Sequence, residues 1–567
     1  MTLLLGLSVA HACGGFFCNQ SMPVDQSGET IVFAVDHAAE TVTMHVQVAY
    51  AGPAEEFAWV VPVNGEPDVF LGHSALFTTL AQSAPRWFWI STDQSTCSPG
   101  RGSWSDADAD ADADADSDAD SDADTDADGG VTVLAHDLVG AYDVTTLAGD
   151  DPEVLVAWLQ DNDYEVPDTL ADTLAPYIAA DQNLLALKLR KDASDGALAP
   201  LALRYPGTRP AIPIGLTAVA AQPDMPLNVY ILGDARAVPT NYLHVRVNPV
   251  AIDYWSWSPG ANYDALITLA ADEAGGQAFA TDAVLDARMF DRSVYAEGMY
   301  NLDRLRDTEG AAAFVGALPL AGFFGTDEVM SVLQEHVPVP EDFRTSAADF
   351  YNCPVCYADD YARIDFDLSA AIAALVEVEV EPRRSVQALL DGASLTTRLR
   401  SSMSPDEMTV DPVFGFNPDL STPVDLTRLD NEVLCDGARV WGSKQRLQYA
   451  HGLNLVIPSA RRLATLGLTP FEYVSQAEPS AALLVEQLGT TGQGTVLVDH
   501  RGALQEALDA LNVSSQHLDP GDLPGLAVLD SGPGSKATGC GCSAGGSTVG
   551  WWGMVPLVAL WRRSRRG

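Results

Sequence analysis

Between Asp106 and Asp128 every second residue is aspartate, twelve in all, with Ala, Ser or Thr between them. No other feature limits the fold of this chain so tightly. The run buries no apolar area and its charges repel, so it is expected to be extended and disordered. A fold that includes it must either end there or carry it outward as a loop. The flanks favour the loop, because strand-like sequence lies on both sides.

Before the run, Thr30 to Asp36 and Thr41 to Tyr50 alternate apolar and polar residues with a period of two. Ala38 to Glu40 is a short connection between them, so a hairpin is predicted. Phe57 to Val63 reads as a more buried strand, Ser74 to Gln82 as a helix with Ser74 as its N-cap, and Trp87 to Ser91 as a further strand. Beyond the run, Val131 to Ala135 and Ala141 to Thr146 return to the strand pattern. Pro152 to Gln160 and Pro167 to Ala179 predict helices, each with Pro in its first turn. Strands are then predicted at Leu184 to Arg190, Leu198 to Tyr205, Pro213 to Val219 and Leu227 to Leu232. The fold class is α+β. A sheet-rich domain over 13–250, interrupted at 106–130, is followed by a mainly helical or irregular region over 251–530. A strand pair is still expected in that region, for example Leu447 to Ile457 with Thr495 to Asp499.

The net charge is −47 over 567 residues, about a quarter of it in the aspartate run. That balance opposes nucleic acid and anionic membrane surfaces as partners. A hydrophobic fraction of 47% is ordinary for a globular chain of two or three domains.

Both ends point to export. Met1 to Ala12 is apolar and closes on Ala10-His11-Ala12, an A-x-A cleavage pattern. It holds no Lys or Arg, so a basic n-region is expected upstream of Met1. Lipidation of Cys13 is the weaker alternative, since Ala10 stands where a lipoprotein signal carries Leu. The last stretch, 531–567, reads Cys540-Gly-Cys542, then nineteen uncharged residues from Ser543 to Trp561, then Arg562, Arg563, Arg565 and Arg566 around Ser564. Nineteen residues approach the ~20 needed to span a bilayer as a helix, and the arginines oppose translocation. Pro556 and Gly545-Gly546 weaken that helix as a permanent anchor. A cysteine pair, a marginal helix and an arginine end in that order resemble the myxobacterial (MYXO-CTERM type) sorting signal. The resemblance implies a membrane sorting protease as partner and retention at the outer surface, by the helix or by a lipid.

Six further cysteines remain: Cys13, Cys18, Cys97, Cys353, Cys356 and Cys435. In an oxidising compartment an even number suggests disulfides, with fifteen pairings possible. Cys353 and Cys356 have C-x-x-C spacing, but no second pair follows at zinc spacing, so a structural bridge is expected. Cys13 and Cys18 could equally close a small loop. The only metal pattern is Asp124, Asp126 and Asp128 before Gly129, the first half of a calcium loop. Its bidentate Glu is replaced by Ala135, which leaves at most weak Ca²⁺ binding and no other cofactor.

A family resemblance covers most of the chain before the tail. Cys13-Gly-Gly-Phe-Phe-Cys18, Pro23-Val-Asp-Gln26, Glu29 to Phe33, Tyr50 to Val63, Val139 to Asp143, Trp158 to Pro167 and Met408 to Pro418 resemble the bacterial family DUF2330. The resemblance implies no activity and no catalytic residues, because the family is uncharacterised.

The residues supply no chemistry either. There is no H-E-x-x-H, P-loop or strand-linked G-x-G-x-x-G, and the only G-x-S-x-G lies in the tail at Gly541 to Gly545. His37 and His45 could approach across the hairpin but lack a third ligand. Asp499-His500 follows a strand and precedes a helix, where catalytic groups often sit, although a surface His at a helix start is the simpler account. Glu55, Glu56 and Asp68 offer carboxylates at no fixed separation. The expectation is thus an exported, surface-anchored envelope or interaction module without catalysis, carrying protein or glycan as ligand and no deep pocket of convergent polar groups. The alternatives are a surface hydrolase of glycans or peptides, and calcium-dependent adhesion through the aspartate run.

Overall fold

The computed structural model describes Phe16, Phe17 and residues 29–512, apart from 48–57, 85–86, 98–126, 167–169, 190–198, 219–220, 436–442 and a few single positions. Its centre is a ten-stranded sheet. The predicted hairpin is there, Glu29–Asp36 against Thr41–Val46, closed by a turn in which Asp36 accepts the Ala38 and Ala39 N–H groups. Across the sheet the strands run Thr495–Asp499, Ala482–Gln487, Leu243–Val247, Ala278–Asp286, Leu395–Met403, Met225–Gly233, Glu29–Asp36, Thr41–Val46, Leu201–Pro206 and Asp68–Leu71. Two neighbouring pairs are parallel and the rest antiparallel. One face packs Phe33, Leu203, Val229 and Phe279 into a large core, joined by Phe414 from a separate strand, Phe414–Asn417.

A six-stranded sheet packs beside it, ordered Phe16–Phe17, Ala58–Val63, Asn183–Leu189, Tyr142–Gly149, Val131–Val139 and Ala127–Asp128. Ala58–Val63 therefore leaves the hairpin that precedes it and joins another sheet. Helices Pro152–Asp161 and Leu170–Ala179 cover this sheet through Leu155, Leu159, Leu170 and Leu174. Asp151 caps the first by accepting from the Glu153 and Val154 N–H groups.

The α+β class holds, with helices gathered later in the chain. The boundary expected at residue 250 does not divide the fold, because Leu395–Met403 lies between Met225–Gly233 and Ala278–Asp286. Residues up to Gln516 form one unit. Leu395–Met403 is a polar sequence, LTTRLRSSM, yet nearly all of it is buried. Burial is possible because Arg398 pairs with Asp282, Arg400 pairs with Asp264, and Ser401 donates to the Ala278 carbonyl. Pro213 to Val219 is a second departure, since Ile214–Thr217 forms a helical turn instead of a strand. The Asp411 carboxylate accepts the Gly215 N–H there, a partner almost two hundred residues away. The strands expected to pair, Leu447 to Ile457 and Thr495 to Asp499, lie in different sheets; the first is itself a hairpin of Lys444–Gln448 and Asn454–Ile457.

Short helices between 302 and 391 bury Phe314, Phe323, Phe350 and Leu375 in a core of their own. Leu368–Leu375 and Glu381–Asp391 are joined by a π-helical turn, Val376–Val380. Pro382 explains it: proline has no N–H to give the preceding turn, and its ring crowds the carbonyl there.

Candidate functional site

The π-helical turn places Glu379 in the most connected polar cluster among the described residues. Its Oε1 accepts from Tyr300 Oη at 2.8 Å and Arg383 Nε at 2.8 Å. Its Oε2 accepts from Thr326 Oγ1 at 3.0 Å and faces His73 Nε2 at 3.0 Å. His73 arrives from the other end of the chain as N-cap of Ser74–Ser83, and its Nδ1 accepts from the Ala75 N–H. That acceptor role leaves the Nε2 proton to donate to Glu379. Glu328 adds a third group: its Oε1 accepts the Ser74 N–H and lies 3.6 Å from His73 Nδ1. Ser74, expected as the N-cap, is instead the first helical residue, because the His73 imidazole takes the capping bond.

His73, Glu328 and Glu379 are all buried, and one ligand atom from each lies within 4.8 Å of the others. The donor set suits a divalent metal, but the geometry reads as a hydrogen-bonded pin. All four lone-pair directions of Glu379 have donors, both His73 nitrogens are engaged, and Glu328 faces the positive end of a helix. Within this cluster only Glu328 Oε2 is buried without a partner. Burial alone would raise the Glu379 carboxyl, but the hydrogen bond from His73, the Arg383 charge and the hydrogen bond from Tyr300 outweigh it and hold it below its ordinary range. Nothing in the local sequence marked these residues, which are separated by up to 306 positions.

The second site is an open cleft of about 760 Å³ on the four-stranded sheet. That sheet runs Asn454–Ile457, Lys444–Gln448, Arg428–Leu434 and Trp89–Asp93. Asp425, Arg428, Asp430, Arg446, Gln448 and Tyr449 are among its lining residues. Arg428 is held against Asp430 and Arg446 against Glu432, so the charged heads are fixed before any ligand arrives. The expectation of no polar pocket is corrected to this extent: convergent polar groups do line a cleft, though it is open. Sequence missed it because its residues are ordinary strand and turn side chains without a motif.

The remaining expected residues are placed as follows. Cys97 bonds Cys435, and Cys353 bonds Cys356. Asp128 pairs with Val131 in a short antiparallel bridge, and Ala135 lies within a strand. Asp124, Asp126, Cys13, Cys18, Glu55, Glu56, Cys540, Cys542 and Arg562, Arg563, Arg565 and Arg566 lie outside the described residues. So does 543–561; among the described residues no helix is long and apolar enough to cross a membrane. Asp499 is bound to Arg501 and His500 Nδ1 lies 2.8 Å from Ser480 Oγ, so the two face different partners.

His37 sits in the turn against Phe416, whereas His45 is buried mid-strand beside Phe70 with Nδ1 unpartnered. The two do not form a site. Burial pushes His45 down to about 4. The unfolded chain therefore takes up a proton before the folded one, and stability is expected to fall as pH drops from about 6.5 to about 4. The full shift corresponds to about 3 kcal/mol. Urea unfolding at pH 7 and pH 4.5 checks this, with His45→Leu flattening the loss; an equal loss in the variant would refute it.

The DUF2330 family model, described as an uncharacterized protein conserved in bacteria, matches residues 7–297, just over half the chain. No curated protein and no solved structure matches. The match takes in His73 and Trp89, while Glu379 and Tyr449 lie beyond it. By that match the chain belongs to the bacterial family DUF2330.

Proposed function

We propose that the protein is exported and displayed at the cell envelope as a disulfide-stapled interaction module with no chemistry of its own. The Cys97–Cys435 bridge carries this reading. It closes the ends of the parallel strands Trp89–Asp93 and Arg428–Leu434, and a bond of that kind persists outside a reducing cytosol. The A-x-A pattern before Cys13 and the tail from Cys540 to Arg566 support export and retention by sorting. Asp499 bound to Arg501 gives the hydrolase alternative no support.

Peptide mapping of the native protein under non-reducing conditions tests this. Linked Cys97/Cys435 peptides and a last peptide ending near Cys540, carrying added mass, are expected. Free thiols at Cys97 and Cys435 would remove the export reading. An intact Arg562 to Arg566 end would remove display by sorting and leave a plain membrane tail.

A further inference from the structure

Among the described residues three tryptophans stand in solvent: Trp87 is 75% exposed, Trp89 47% and Trp257 105%. Indole faces left bare at this scale mark a contact surface more often than chance. They belong together. Phe88, between the first two, is buried against Tyr254 and Tyr263 and lies under Gly260, where a Cβ would come within 2.0 Å of its ring. Gly260 ends the loop that carries Trp257, so this loop is seated on the Trp87–Trp89 segment.

The same aromatics adjoin the cleft. The Arg428 guanidinium, part of its lining, is 5.3 Å from the Trp89 ring centre. Tyr254 is 6.3 Å from Tyr449, another lining residue. Tyr449 is 5% exposed, and its Oη is buried with no hydrogen-bond partner. A buried hydroxyl left unpaired is costly, and it is a built-in demand for one more polar group. The next residues in the chain form the turn Ala450–Gly452, which also lines the cleft and where His451 and Gly452 both have left-handed backbone. Such conformations concentrate where a ligand or a movement uses them.

Charge selects the class of ligand. The chain as a whole is strongly acidic, yet the cleft sets Asp425 and Asp430 against Arg428 and Arg446. This local balance favours neither an anion nor a cation. Fixed carboxylates, guanidiniums and the Gln448 and Asn454 amides suit a ligand rich in hydroxyl groups, and flat exposed indoles suit its C–H faces. The open form lets the ends of a polymer pass out.

We propose that this cleft binds a neutral oligosaccharide, with Trp89 stacking on a sugar ring and Tyr449 Oη bonded by a sugar hydroxyl. The inference holds whether or not the tail is processed, so it stands or falls apart from display. The test is calorimetric titration of the purified full chain with neutral gluco-, manno-, galacto- and N-acetylglucosamine oligomers, with heparin as the anionic control. At least one neutral oligomer is expected to bind. Trp89→Ala and Tyr449→Phe are each expected to weaken it about tenfold while the thermal transition persists. Tyr449→Phe removes one hydroxyl without changing shape, so it separates lost recognition from lost folding. No binding of any neutral oligomer, binding of heparin alone, or affinity unchanged in both variants would overturn the proposal.

Discussion

Glu379→Ala is expected to cost the folded state about 3–5 kcal/mol, the range for breaking one side of a buried charged pair. The carboxylate is acceptor to Tyr300, Thr326, Arg383 and His73 at once. Removing it leaves four buried or half-buried donor groups without that acceptor, the Nε–H of charged Arg383 among them, while Arg383 Nη1 keeps only the Val294 carbonyl. The loss falls on the joint between the helices at 302–391 and the sheet, because His73 caps a helix whose Leu76 and Leu80 pack beneath Val32 and Leu232. The measurement is the urea midpoint and slope for Glu379→Ala and for Glu379→Gln. A loss under about 1 kcal/mol, the worth of an ordinary exposed pair, would refute the pin.

The same cluster sets an acid limit. The Glu379 carboxyl lies below its ordinary value in the folded state. Its contribution is therefore complete above the unfolded value near 4.5 and is lost as pH falls through the depressed folded value. Glu379→Gln should remove that part of the acid limb while leaving the His45 part between about 6.5 and 4 in place.

Replacing Cys97 and Cys435 together by serine is expected to cost about 2–5 kcal/mol, whereas the Cys353/Cys356 double replacement should cost about 2 kcal/mol or less. The two bridges differ in the chain they close, 338 positions against 3. A longer closed loop removes more freedom from the unfolded chain. Trp89–Asp93 has a further dependence on the long bridge. It is the edge of the four-stranded sheet, paired only to Arg428–Leu434, and the chain leaves it directly toward the aspartate run. Hydrogen exchange at Trp89–Asp93 should rise in the long-bridge variant, with calorimetry reporting the stability change. Equal transition temperatures for the two double variants would count against the assignment.

Much of the fold was legible locally. The hairpin from Glu29 to Val46 follows from a period of two and a short turn, and Pro152–Asp161 follows from its aspartate cap and first-turn proline. The failures share a cause. Pro213 to Val219 looked like a strand because it is apolar, but Asp411 closes it into a helical turn. Leu395–Met403 lies in the region read as mainly helical or irregular, yet it is a central strand, because Arg398, Arg400 and Ser401 find partners on neighbouring elements, although Thr396 Oγ1 stays without one. The candidate sites failed in the same way, since neither His73 nor Tyr449 carries a motif.

The sequence by itself determined much of the regular structure between residues 29 and 189, which segment is too charged to be expected in a core, and which cysteines were available for bridging. These depend on periodicity, capping, charge repulsion and composition, all readable within a few residues. Tertiary structure alone decided that strands on both sides of residue 250 share one sheet, that Cys97 meets Cys435, and that Glu379 meets His73. Those outcomes rest on which distant partner satisfies a buried group, and desolvation makes that choice only once the chain has closed around it.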